Sequence, residues 1–190
     1  FLINITPDIQ PQLDRHFAEN GVDIQEFYPV IRGRFVSVND EGVNTDVSKE
    51  DEPNREGRRG LGREANLTWS NTLQKENEVI EGNWHGGVDA NYDEGWFPVS
   101  VEEGVAERLN IRMGDRLTFN VGSEIVETKV TSLRKVNWQT MQPNFFFVIH
   151  PEAMAAFSPT YITSFYLPSE RKAELTNLLK PFASITMFDV

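Results

Sequence analysis

The chain has 190 residues, enough for one domain or two small ones. Its content of 39% hydrophobic and 25% charged residues is that of an ordinary globular chain, and no apolar run approaches the roughly 20 residues a membrane-crossing helix needs. With 18 Lys plus Arg against 29 Asp plus Glu, the formal charge of -11 argues against nucleic acid as a partner, and the lack of Cys excludes disulfides and thiolate metal sites.

Phe1 to Ile5 reads as a strand. Thr6-Pro7 then supplies an N-cap and a first-turn proline for a helix with Ile9, Leu13 and Phe17 on one face, ended by Asn20-Gly21. Pro11 would clash with the preceding turn, so a kink or a later start is expected. Ile24 to Val38 reads as two strand segments bent at Pro29 and Gly33, which makes the opening β-α-β. Residues 39 to 62 are polar, with Asp40, Glu41, Asp46, Glu50, Asp51 and Glu52 followed by Arg55, Arg58 and Arg59, and predict a solvated mobile loop.

Structure is expected again at Ala65–Trp69 and at Val79-Ile80, before a Gly- and aromatic-rich stretch from Gly82 to Phe97. Ser100-Val101-Glu102-Glu103 has the form of a capping box, opening a helix with Val101, Val105, Ala106 and Leu109 inward. Alternation of Leu117, Phe119 and Val121, a Gly122-Ser123 turn, and alternation of Val126, Thr128 and Val130 predict a β-hairpin. The last third reads as a strand at Phe145–Ile149, a short helix from Pro151 to Phe157, a strand at Tyr161–Leu167, a helix capped by Ser169, and a final strand at 185–189. That end is β-α-β-α-β, and the fold class is α+β.

Catalytic patterns are sparse. There is no Gly-x-Ser-x-Gly elbow, no Cys and no Ser-x-x-Lys, and His16, His85 and His150 lack the close spacing of a shared metal site. Asp89 to Gly95 alternates oxygen ligands as a calcium loop does, yet its Gly falls one place late and the twelfth position is Ser100 instead of Glu. No catalytic, cofactor-binding or metal residue is assigned. Trp84, Tyr92, Trp96, Phe97 and Trp138 are large aromatics in loops, of the kind that anchor partners or cover a core.

Both ends are strand-like, without an initiator Met or a signal sequence, as expected of a segment cut from a longer membrane protein. Several blocks resemble the large extracytoplasmic domain of FtsX/MacB-type ABC transporter permeases, most closely the branch linked to lysophospholipase L1 biosynthesis. They are Phe1–Ile5 with Pro7-Asp8, Tyr28–Arg34, Arg63–Trp69, Val99–Leu109, Gly114–Phe119, Val130–Arg134, Met141–Phe146 and Tyr161–Pro168. The acidic insert 39–62 and the stretch 82–97 depart from that pattern.

This resemblance implies a porter-like subdomain from residues 1–33 and 134–190, with a Sabre-like mixed subdomain, 34–133, inserted. It implies an inner-membrane protein whose segment here is periplasmic, and a cytoplasmic ABC ATPase subunit that hydrolyses the nucleotide. A lipid-like substrate and a periplasmic thioesterase/lysophospholipase are the further partners implied. Arg32, Gly33, Arg34 and Asn144 fall in family-like blocks and are candidates for a hinge or its surface. The competing reading is a free-standing secreted esterase, which would need a Ser or Asp within reach of a His.

Overall fold

A computed structural model describes residues 1–42, 64–86 and 95–188. The strands are β1 (Leu2–Ile5), β2 (Tyr28–Val38), β3 (Glu41–Gly42), β4 (Glu64–Trp69), β5 (Asn77–Gly82), β6 (Phe97–Glu102), β7 (Arg116–Val121), β8 (Glu124–Val136), β9 (Phe147–Ile149), β10 (Thr160–Thr163) and β11 (Thr186–Met187). The helices are α1 (Gln10–Glu19), α2 (Glu103–Leu109) and α3 (Leu175–Leu179), with 3-10 turns at Pro151–Met154 and Ser169–Glu174. Two units partition the chain: residues 1–30, 141–143 and 158–190 form the first, and 31–140 with 144–157 the second. The sequence expectation put 134–157 with the first unit, whereas all of that segment except 141–143 groups with the second.

In the first unit the strand order is β11-β1-β10-β2, antiparallel throughout. Two β-α-β halves, one from each end of the chain, thus interleave as in a split, ferredoxin-like arrangement. Pro29 sits in β2 opposite Tyr161, and β2 ends this strand order, a position where a residue without N–H is tolerated. Helix α1 starts at Gln10, after Ile9, which is the later start that Pro11 demands. Its buried Leu13 and Phe17 pack with Leu2, Ile5, Val22, Leu178 and Phe182. Arg171 reaches the C-terminal end of α1, donating to Asn20 O at 2.7 Å and Gly21 O at 3.2 Å while pairing with Glu174 at 2.8 Å. Ser169 caps nothing, because the turn begins after Pro168 and no side-chain cap bond forms there.

The second unit contains a closed ring of six strands, β2-β4-β9-β6-β8-β7, returning to β2. Pairs β4·β9 and β6·β8 are parallel and the rest antiparallel, so this is a mixed barrel within a mixed α/β fold. Strand β5 extends it along the second half of β8, and β3 pairs β2. Phe35, Phe119 and Phe147, from three strands, meet in its core with ring centroids 5.2 to 5.6 Å apart. The expected hairpin is β7–β8, with Gly122 at a φ of 61° in the two-residue turn.

Here β2 runs unbroken from Tyr28 to Val38, without the predicted bend. Gly33 serves packing instead: a Cβ there would lie 2.6 Å from Leu67 Cδ1. Nor does Ser100 cap a helix. It is buried in β6, and Glu102 is the N-cap of α2, accepting from Val105 N at 2.8 Å. Of the predicted loop 39–62, residues 43–62 lie outside the described residues, as does most of the acidic turn 89–95.

Candidate functional site

A buried guanidinium organises one side of the second unit. Register pairing sets Glu102 of β6 opposite Arg134 of β8, and Arg134 is 0% exposed. Burial pulls the guanidinium down to about 10, and the Glu102 carboxylate opposes that shift. Arg134 donates to the carbonyls of Phe145 and Phe146, and Glu102 N donates to Phe146 O at 2.9 Å. Taking a guanidinium this far from water is costly unless its donors are used, and here they hold the backbone at 145–146.

What that backbone presents is an exposed aromatic patch. Phe146 is 42% exposed and its ring lies 5.5 Å from Trp138, itself 50% exposed, with the Arg108 guanidinium 5.9 Å over the Phe146 ring. Trp138 was a sequence candidate, but Phe146 and Arg108 were not. The apolar run Phe145–Ile149 reads as continuous strand, whereas only Phe147–Ile149 is paired and Phe146 precedes it.

The other candidate aromatics sit in separate contacts. Trp84 is half-buried, donates its indole N–H to Asn71 O at 2.9 Å and stacks on His85 at 4.2 Å. Trp96 lies under the Arg116 guanidinium at 5.0 Å, and half-buried Phe97 opens β6. Tyr92 lies outside the described residues. Asn144 accepts from Asn77 Nδ2 at 3.2 Å, a bond internal to the second unit. Arg32, Gly33 and Arg34 line a shallow groove of about 340 Å³ with Glu64 and Asn120, where exposed Arg32 pairs with Glu64 at 3.1 Å.

Two of the three histidines converge, contrary to the sequence expectation: the His85 and His150 rings are 5.5 Å apart. His85 is buried, with Nε2 donating to Ser70 O at 2.9 Å, which fixes the neutral tautomer. Burial lowers its imidazole to about 4, reinforced by nearby His150 and Arg134 against the Ser70 bond. The Ser70 hydroxyl donates to Thr72 O, not to the imidazole. His150 Nδ1 accepts from Glu152 N and so caps a 3-10 turn. Among the described residues no group of three or more His, Asp or Glu could hold a metal ion.

No family model matches the chain. It is 36% identical over all 190 residues to the ABC transporter permease YbbP of Escherichia coli strain K12, itself described as uncharacterized. This chain is an ABC transporter permease domain, YbbP-like in sequence. It spans 21% of the length of YbbP. A crystallised domain of a candidate permease from Porphyromonas gingivalis superposes with a TM-score of 0.42 at 11% identity, covering 97% of this chain and 82% of that one. Among the described residues no helix is long and apolar enough to cross a membrane.

Proposed function

We propose that the chain is the non-catalytic extracytoplasmic part of an inner-membrane ABC permease. It would couple ATP hydrolysis on a cytoplasmic subunit to a conformational change outside the cytoplasm, in the extraction or export of lipid-like substrates. The carrying observation is the 36% identity to YbbP across the whole chain. In this reading the Phe146–Trp138–Arg108 patch is the contact for a periplasmic thioesterase/lysophospholipase. Support for that comes from its construction: an exposed aromatic pair with an overlying cation, on a backbone held by the buried Arg134 guanidinium, has the rigidity of a binding hot spot.

Pull-down of the intact permease tests both parts. Its ATPase subunit is expected to co-purify with wild type and with a Trp138→Ala/Phe146→Ala variant, and the hydrolase with wild type alone. Recovery of the hydrolase undiminished by the double variant would remove the patch from the proposal. Failure of any ATPase to co-purify would remove the coupling role, and steady ester hydrolysis by the purified chain would restore the esterase reading.

A further inference from the structure

On the side of the barrel wall turned away from its apolar core, the second unit carries a buried polar layer. In the β6–β8 pair Val99 is opposite Val130 and Val101 opposite Leu133, and all four belong to the core or pack on it. Val130 and Leu133 are three apart, where strict alternation would set them on opposite faces. The register shift between them makes Thr131 the extra residue of a bulge and turns Ser132 and Arg134 outward, alongside Ser100 and Glu102. Gly82 of β5 lets the neighbouring backbone close on that bulge, since a Cβ there would strike Thr131 O. Across the same face the pairings set Thr68 beside Val148 and Val148 beside Ser100. His85 adjoins this row through its bond to Ser70 O, two residues on from Thr68, and its ring contact with His150, two residues on from Val148.

Thr68, Ser100, Ser132 and Arg134 are all 0% exposed, so bulk solvent does not serve them. Arg134 directs its terminal nitrogens to the carbonyls of Phe145 and Phe146. Four other polar atoms of the layer, Arg134 Nε, His85 Nδ1, Ser100 Oγ and Ser132 Oγ, have no partner among the described residues. Buried groups of this kind are costly unless something bonds them.

We propose that this layer is an internal water site, in which ordered water bridges Arg134 Nε, the two serine hydroxyls and His85 Nδ1. The four atoms select the ligand by their charge and hydrogen-bonding roles. Because His85 Nε2 donates to Ser70 O, Nδ1 offers a lone pair, which repels an anion. The Arg134 guanidinium, close enough to disfavour a charge on His85, repels a metal cation in the same way. A small neutral molecule that both donates and accepts fits instead. It accepts from Arg134 Nε–H and donates to His85 Nδ1, and the hydroxyls turn to suit either role. An internal water makes about three hydrogen bonds, so these atoms are enough to hold one. It would complete the donor set of the guanidinium that holds the backbone under the Phe146–Trp138 patch. The inference does not depend on the permease reading.

A crystal structure of the 190-residue chain, at a resolution that shows ordered solvent, tests the site directly. A solvent peak is expected within about 2.7–3.2 Å of Arg134 Nε and of at least one of His85 Nδ1, Ser100 Oγ and Ser132 Oγ. In solution the Arg134 Hε resonance should show a nuclear Overhauser effect to water, with the sign given by long-resident water. A direct hydrogen bond between two of the four atoms, with no solvent peak beside them, would overturn the proposal. So would an Arg134 Hε resonance that shows no effect from water. Crystals grown from bromide separate the remaining alternative: an anomalous peak at this position would make it an anion site and overturn the water assignment.

Discussion

The first unit closes Leu2, Ile5, Leu13, Phe17, Leu178 and Phe182 on one another and, among its described residues, buries only the uncharged Thr163 and Ser164 as polar residues. The second buries a larger apolar core, Glu102, Arg134, Ser100 and Ser132 along its β6–β8 pair, and His85 after β5. Several of these polar atoms have no protein partner: Arg134 Nε, His85 Nδ1, Ser100 Oγ and Ser132 Oγ. Each such group weakens the fold if water does not serve it. Ser164 Oγ and His16 Nε2 of the first unit share that state, so the contrast lies in charge: among the described residues only the second unit buries a guanidinium and a carboxylate, beside its exposed aromatic patch.

The sharpest way to break that comparison is to cut one contact on each side. Arg134→Met takes the donor from the Phe145 and Phe146 carbonyls and the opposite charge from near Glu102, and should cost roughly 1–3 kcal/mol, while Phe17→Ala should cost about 3–5 kcal/mol by leaving a cavity. The two differ in rescue. Adding Glu102→Gln to Arg134→Met, which keeps an acceptor for Val105 N, should recover part of the loss in urea unfolding. If the pair of changes is as damaging as the single one, the Arg134–Glu102 couple is not what holds this region.

Acid comes next. His85 is held near 4 when folded against a usual value of about 6.5, so the unfolded chain takes up a proton that the folded chain refuses. Stability is therefore full above pH 6.5, falls as pH drops from 6.5 to about 4, and levels below that, the His85 share being at most ~3 kcal/mol. A His85→Gln variant should lose that share of the slope, read from urea midpoints across the window. An unchanged slope would assign the acid sensitivity to carboxylates instead.

Gly33→Ala should cost roughly 1–3 kcal/mol, because Leu67 must move off its site in the barrel core. Thermal unfolding of the Ala variant within a degree of wild type would show that the core yields more easily than the geometry suggests. The smallest effect is expected at Trp138, where Ala should change stability by no more than about 0.5 kcal/mol yet abolish hydrolase recovery in the pull-down. A large stability loss there would turn the exposed patch into a packing element.

Local patterns read well from the sequence where one physical requirement acts alone. Alternation at Leu117–Val130 fixes the hairpin, and the spacing of Leu13 and Phe17 fixes the buried face of α1. Competition defeats the reading elsewhere. Ser100 has the form of a cap, but strands β8 and β9 claim β6 from both sides and the cap moves to Glu102. The partition of 134–157 depends on β9 pairing β4, with Val148 opposite Thr68, and on β8 pairing β6, with Val130 opposite Val99, contacts that no local window contains. Arg134 could not be singled out, since an arginine in an alternating strand reads as solvent-facing until its carbonyl partners at 145 and 146 are known.

One more consequence lies in the ladder between β1 and β11, two strands joined so that their free ends emerge together. Strand β11 is only Thr186–Met187, and it runs antiparallel to β1. A load that draws Phe1 away from Phe188 acts as on a zipper, opening the bonds one at a time, and such geometry yields at low force. Compression or sideways swing of the joined ends meets the whole first unit instead. A load on Phe1 and Phe188 together would therefore leave the ladder closed, whereas one that separates them would open it.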